Sequence, residues 1–86
     1  MPKVEVRLYA TVRECAGSPE VLVEATDVDG LLRTLSAMFG RCFSTLISQE
    51  GVVILVNGRN LRPGPRANIR LKSGDEVSIF PPVSGG

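Results

Sequence analysis

The sequence predicts an α+β domain in which one main helix packs across a mixed sheet. Three patterns predict it. Runs near both ends of the chain alternate apolar and polar residues, the period of a strand with one buried face. Between them lies one long stripe with the 3.6-residue period of an amphipathic helix. A continuous, mostly β-branched run before Asn57-Gly58 adds an interior strand and a hairpin.

Each element has its own local cause. In residues 3–9, Val4, Val6 and Leu8 face one way, and Lys3, Glu5, Arg7 and Tyr9 the other. Ala10 to Ala16 is short and helix-compatible, and Gly17-Ser18-Pro19 stops it. Residues 20–25 form a second strand, placed antiparallel to the first by the brief connection. Thr26 or Asp27 then caps the main helix. Its stripe is Val28, Leu31, Leu32, Leu35, Met38 and Phe39, and its role is to fill the core. Asp27 and Asp29 sit where the helix dipole favours negative charge. Gly30 weakens this helix by up to about 1 kcal/mol relative to alanine, and Gly40 suits a left-handed position after its end. Cys42, Phe43, Leu46 and Ile47 suggest one or two further helical turns. After a turn at Gln49-Glu50-Gly51, the strand Val52 to Val56 is apolar on both faces. Asn57-Gly58 leads into a short return strand, Arg59-Asn60-Leu61.

Residues 62–68 are loop, and Ile69 and Leu71 mark one more short strand or a turn against the core. Ser73-Gly74-Asp75 turns the chain into the last strand, Glu76 to Phe80. Val77 and Ile79 share one face of it and Phe80 takes the other. Pro81-Pro82 ends the strand, because proline cannot donate to a ladder. With the first and last strands as central neighbours, this order is the β-grasp, the ubiquitin-like architecture. The expected division is a domain over residues 1–80 and an extended, flexible tail over 81–86. Such a tail reaches at most about 20 Å.

Composition narrows the function. The 86 residues make one domain, and 43% hydrophobic with 22% charged residues is ordinary for a soluble protein. A net charge of +1 gives no electrostatic case for nucleic acid or an anionic membrane. No apolar run approaches the roughly 18 residues of a membrane span, and the start lacks a signal peptide's apolar segment. A cytoplasmic protein is therefore expected. There is no histidine, which removes the commonest general base and metal ligand. Cys15 and Cys42 cannot complete a four-thiolate metal site, and in the cytosol they are expected to be reduced and packed. Glycine-rich phosphate cradles are missing. No metal and no cofactor bound by this chain is expected, and a self-sufficient enzyme is disfavoured.

The sequence ends in Gly85-Gly86. A carboxylate on Gly86 is a poor electrophile, but it becomes reactive once joined to a leaving group such as AMP. Glycine has no Cβ, so this tail suits a narrow channel in a partner.

Three segments carry a family resemblance: Leu8-Tyr9-Ala10-Thr11-Val12-Arg13-Glu14, Asn57-Gly58-Arg59, and Leu71 to Gly86 with its Gly-Asp-Glu-Val strand and Phe-Pro-Pro-Val-Ser-Gly-Gly ending. The chain resembles the small subunit of molybdopterin synthase (the MoaD family), within the ubiquitin-like sulfur carriers that include ThiS. The resemblance implies that an E1-like adenylating enzyme uses ATP and Mg²⁺ to convert Gly86 to an acyl-adenylate. A sulfur donor, a persulfide, then leaves a thiocarboxylate there. The tail enters the synthase large subunit, which holds the catalytic residues, and sulfur passes to a pterin precursor. On this reading Gly86 is the reacting residue. Pro81-Pro82 stiffens the base of the tail, Val83 anchors it, and Ser84 and Gly85 thread the channel. Phe80 is either an interface anchor or core filler. Arg59 heads a basic run with Arg62, Arg66, Arg70 and Lys72 that is a candidate for docking, whereas Arg13 and Glu14 are read as solvated. Two other readings share the same activation: a carrier for another product (thiamine, cysteine or tRNA thiolation), and a protein modifier forming isopeptide bonds. A β-grasp interaction module with idle glycines is disfavoured by the full ending.

Overall fold

A computed structural model describes residues 2–49, 51–60 and 69–82. Its elements in chain order are β1 (Lys3–Leu8), α1 (Ala10–Ala16), β2 (Glu20–Glu24), α2 (Val28–Phe39), α3 (Arg41–Ile47), β3 (Val53–Val56), β4 (Arg59–Asn60) and β5 (Glu76–Phe80). The five strands form one sheet in the order β2-β1-β5-β3-β4. β1 and β5 are parallel central neighbours, with Val6 beside Val77 and Leu8 beside Ile79. β2 runs antiparallel to β1, and β3 antiparallel to both β4 and β5. This is the β-grasp that the strand order predicts.

Strand alternation sorts the sheet into two faces. Val4, Val6, Leu8, Val77, Ile79 and Ile54 are buried beneath the helices. α2 contributes Val28, Leu31 and Leu35, all fully buried, and α3 contributes Phe43. Each such leucine is worth roughly 1.5–3 kcal/mol of burial. The stripe of α2 fades at its end, where Met38 is 49% exposed and not a core residue.

The caps explain two glycines. Asp27 caps α2, its carboxylate accepting from the Gly30 N–H at 2.8 Å. A Cβ on Gly30 would stand 3.0 Å from that carboxylate oxygen, so glycine's cost in propensity is offset by room for the cap. Gly40 has φ +82° with an extended ψ of −161°, not the left-handed helical pair expected of it. It closes α2 through its N–H to Ser36 and starts α3 in the same step. Ile69 and Leu71 flank Arg70, whose backbone makes an isolated bridge to Asp27; Leu71 is buried and Ile69 packs on the core.

The cysteines correct an expectation. Cys15 of α1 and Cys42 of α3 are not separate packed thiols; they form a disulfide with a Cα–Cα distance of 5.6 Å. The packing of α1 against α3 brings together two residues 27 positions apart. No described helix is long and apolar enough to cross a membrane.

Candidate functional site

The site is the exit of the central strand. β5 has neighbours on both sides, so its end is fixed by two ladders. Phe80 is the last paired residue, opposite Val53. It lies half-buried on the face away from the helices, and its ring stacks on Tyr9 with centroids 4.3 Å apart and planes 8° from parallel. Tyr9 also donates its backbone N–H to the Ile79 carbonyl at 3.2 Å. Phe80 is thus not a filler of the core beneath the helices but half of an aromatic pair at the sheet surface. Such a pair contributes about 0.5–1.5 kcal/mol beyond its buried area.

Pro81 and Pro82 follow, both half-buried. Pro82 is seated on Gly51: a Cβ there would lie 3.3 Å from the proline Cβ. Gly51 has φ +92°, which favours glycine, and a Cβ there would crowd the proline. Tyr9 and Gly51 are site residues that the residue-by-residue reading leaves out. The parity of β1 is the signal for Tyr9, which shares its face with Lys3, Glu5 and Arg7, as Phe80 does with Glu76 and Ser78. Val83, Ser84, Gly85 and Gly86 lie outside the described residues.

Arg59 does not join this site. It pairs with Val56, which pairs with Val77, so it stands at the opposite end of β5 from Phe80. At about 3.3 Å per residue and 4.8 Å per strand, the separation is roughly 14 Å. Arg59, Arg70 and Lys72 are exposed, while Arg62 and Arg66 lie outside the described residues.

Two polar networks fix the strand. The Asn57 side chain donates to Asp75 at 3.0 Å and accepts from the Glu76 N–H at 2.9 Å. The other Asp75 oxygen accepts from the Lys72 N–H at 2.8 Å. Asp75 is thereby held below its ordinary carboxylate range, first by the Lys72 backbone bond and then by Asn57. These contacts give the Asn57-Gly58 and Gly74-Asp75-Glu76 segments a structural reason to occur together. On the open face, Glu5 and Glu76 stand side by side in register. Arg7 bridges them at 3.1 and 3.3 Å, and both carboxylates raise its pKa, the Glu5 hydrogen bond most. Among the described residues no cluster of three potential metal ligands occurs.

The arrangement fixes the end of β5 through Tyr9 on one side and Gly51 on the other. Comparison with known proteins gives the family. The ThiS family model matches residues 6–86. Small archaeal modifier protein 3 of Haloferax volcanii is 35% identical over 98% of this chain and 99% of its own. The molybdopterin synthase sulfur carrier subunit of Drosophila melanogaster is 35% identical over 96% of this chain and 90% of its own. The solution structure of small archaeal modifier protein 1 from Methanosarcina acetivorans superposes with a TM-score of 0.82 at 32% identity, covering 100% of this chain and 98% of that one. A chain in the complex of subunits 1 and 2 of the molybdopterin-converting factor from Helicobacter pylori matches at TM-score 0.57 and 26% identity, covering 98% and 99%.

Proposed function

The chain belongs to the ThiS family, and from that premise we propose that it carries sulfur as a thiocarboxylate on Gly86. The observation that carries the reading is the built exit of β5. Phe80 is held by Tyr9 and Pro82 by Gly51 at the very residues where the Gly-Gly tail begins. A rigid base lowers the entropy lost when a tail is drawn into a partner. The family match runs to Gly86 itself.

On this reading the Gly86 carboxylate attacks the α-phosphorus of ATP in an adenylating enzyme, and pyrophosphate leaves with Mg²⁺. A persulfide sulfur then attacks the acyl carbon and AMP departs. Reductive cleavage of the S–S bond by a thiol leaves the thiocarboxylate. The acceptor is a pterin precursor in the large subunit of a molybdopterin synthase, in line with the name of the Drosophila relative. This chain supplies the carrier and the docking face, and the partners supply the catalytic groups. The Tyr9–Phe80 stack, with Val53 and Leu55 on the same face, is the apolar surface such a subunit would cover. A second reading, attachment of Gly86 to protein lysines, is favoured by the two relatives named modifier proteins.

Intact mass spectrometry distinguishes them after incubation with an adenylating enzyme, ATP and a persulfide donor. Exchange of one oxygen for sulfur at Gly86 supports carriage. Lysine-linked conjugates support modification. An unmodified chain, with a competent enzyme shown by a control carrier, overturns both.

A further inference from the structure

We infer that the outer edge of β2 is a second docking site, for an extended protein segment of the pattern cation–apolar–apolar–apolar–cation. Four observations carry it. First, β2 closes one side of the sheet, and no described strand pairs its outer edge. Second, that edge offers backbone hydrogen bonds at known residues. Leu8 donates to the Pro19 carbonyl and Ala25 to that of Pro2. With Val4 opposite Val23 and Val6 opposite Val21, the ladder bonds to β1 therefore fall on Val21 and Val23. The N–H and C=O groups of Glu20, Leu22 and Glu24 point outward.

Third, the two exposed large hydrophobic side chains among the described residues are Leu22 (68% exposed) and Met38 (49%). Both line one groove of about 420 Å³ between β2 and α2, with Lys3, Val23, Glu24 and Thr34. Single exposed apolar residues need no explanation, but two sharing a groove beside an open strand edge mark a recognition surface.

Fourth, charge selects the occupant. Residues 20–24 read Glu-Val-Leu-Val-Glu, so an added strand meets Leu22 at its centre and a carboxylate two positions to either side. Directly opposed residues lie about 5 Å apart, and opposite charges there are favourable. Lys3 and Arg7 stand on β1, across from Glu24 and Glu20 and about 10 Å from an added strand, near one screening length. Arg7 is also engaged by Glu5 and Glu76. The incoming segment therefore places cations opposite Glu20 and Glu24 and an apolar residue opposite Leu22. Its two intervening residues turn toward Thr34 and Met38. A second copy of this chain is a poor occupant, because antiparallel pairing centred on Leu22 sets Glu20 against Glu24 twice. The site lies two strands from β5, so a bound segment leaves the base of the tail uncovered.

The test is an amide chemical-shift titration of the full chain with two capped peptides, Ser-Lys-Val-Leu-Val-Lys-Ser and Ser-Glu-Val-Leu-Val-Glu-Ser. Saturable shifts confined to residues 20–24, 34 and 38, with slowed exchange of the Leu22 and Glu24 amides, are expected for the basic peptide alone. The double variant E20K/E24K, altered only at exposed positions, should exchange the preference. L22T should weaken binding by about tenfold or more. Equal binding of both peptides overturns the inference. So do shifts centred on Tyr9 and Phe80, no saturation at millimolar peptide, or self-association through β2.

Discussion

At the scale of single residues, Asp75 and Gly51 hold the turns that aim β5. Asp75 accepts from Lys72 and Asn57, so its folded pKa lies below the unfolded value near 3.9. A depressed carboxylate stabilises the fold above its unfolded pKa, and the contribution fades as pH falls through the folded value. D75A should therefore cost about 1 kcal/mol at pH 7, a modest figure for an exposed group. In urea melts at stepped pH, the gap from the parent should narrow below about pH 3.9 and close in stronger acid. A gap that does not change with pH would mean that the charge has no role. Gly51→Ala acts differently. It forces a Cβ into φ +92° and against Pro82, at a cost of about 1–2 kcal/mol. It should shift the Tyr9 and Phe80 ring resonances, whereas D75A should leave them in place.

At the scale of elements, the disulfide is a staple between α1 and α3. Closing a loop of 27 residues removes unfolded-state entropy worth about 3.5 kcal/mol on the chain-entropy account. Reduction, or the pair C15A/C42A, should lower the free energy of unfolding by up to that amount and move the denaturation midpoint down accordingly, and reductant should then have no effect on the double variant. An unchanged midpoint on reduction would count against the bond. Local periodicity makes most elements legible in the sequence: β1 and β5 through alternation, α2 through its stripe and Asp27 cap, and the β3–β4 hairpin through Asn57-Gly58, where Asn57 has φ +52°. Tertiary packing hides the rest. Nothing in the spacing of Cys15 and Cys42 pairs them; the docking of two short helices does. Met38 keeps the period of the α2 stripe, yet its side chain is exposed in the groove beside β2.

At the scale of the whole molecule, the proposed function divides labour between the folded domain and a reactive tail. The candidate site is legible in part: Phe80, Pro81 and Pro82 cluster at one exit, while Arg59 on β4 falls level with the far end of β5 because a hairpin reverses the chain. No local pattern reports that distance; only strand register does. The core depends on Val77 and Ile79, both fully buried and upstream of the exit. Deleting Gly86 should therefore leave the melting curve within about 0.5 kcal/mol of the parent, as for surface changes in general. The same deletion should abolish adenylation and thiocarboxylate formation, since the shifted carboxylate falls one residue, about 3.3 Å, short of the activating centre. Gly85→Val keeps the carboxylate in place but adds a branched side chain. It should also leave stability unchanged while cutting sulfur transfer by about tenfold or more, because a channel that fits glycine has no room for the branched side chain and the tail cannot seat fully. Pyrophosphate release and mass spectrometry separate the two variants. Loss of activity with an intact fold supports the tail as the reactive part. An adenylate formed on the shortened chain would remove Gly86 from that role, and normal transfer by the valine variant would argue against a narrow channel.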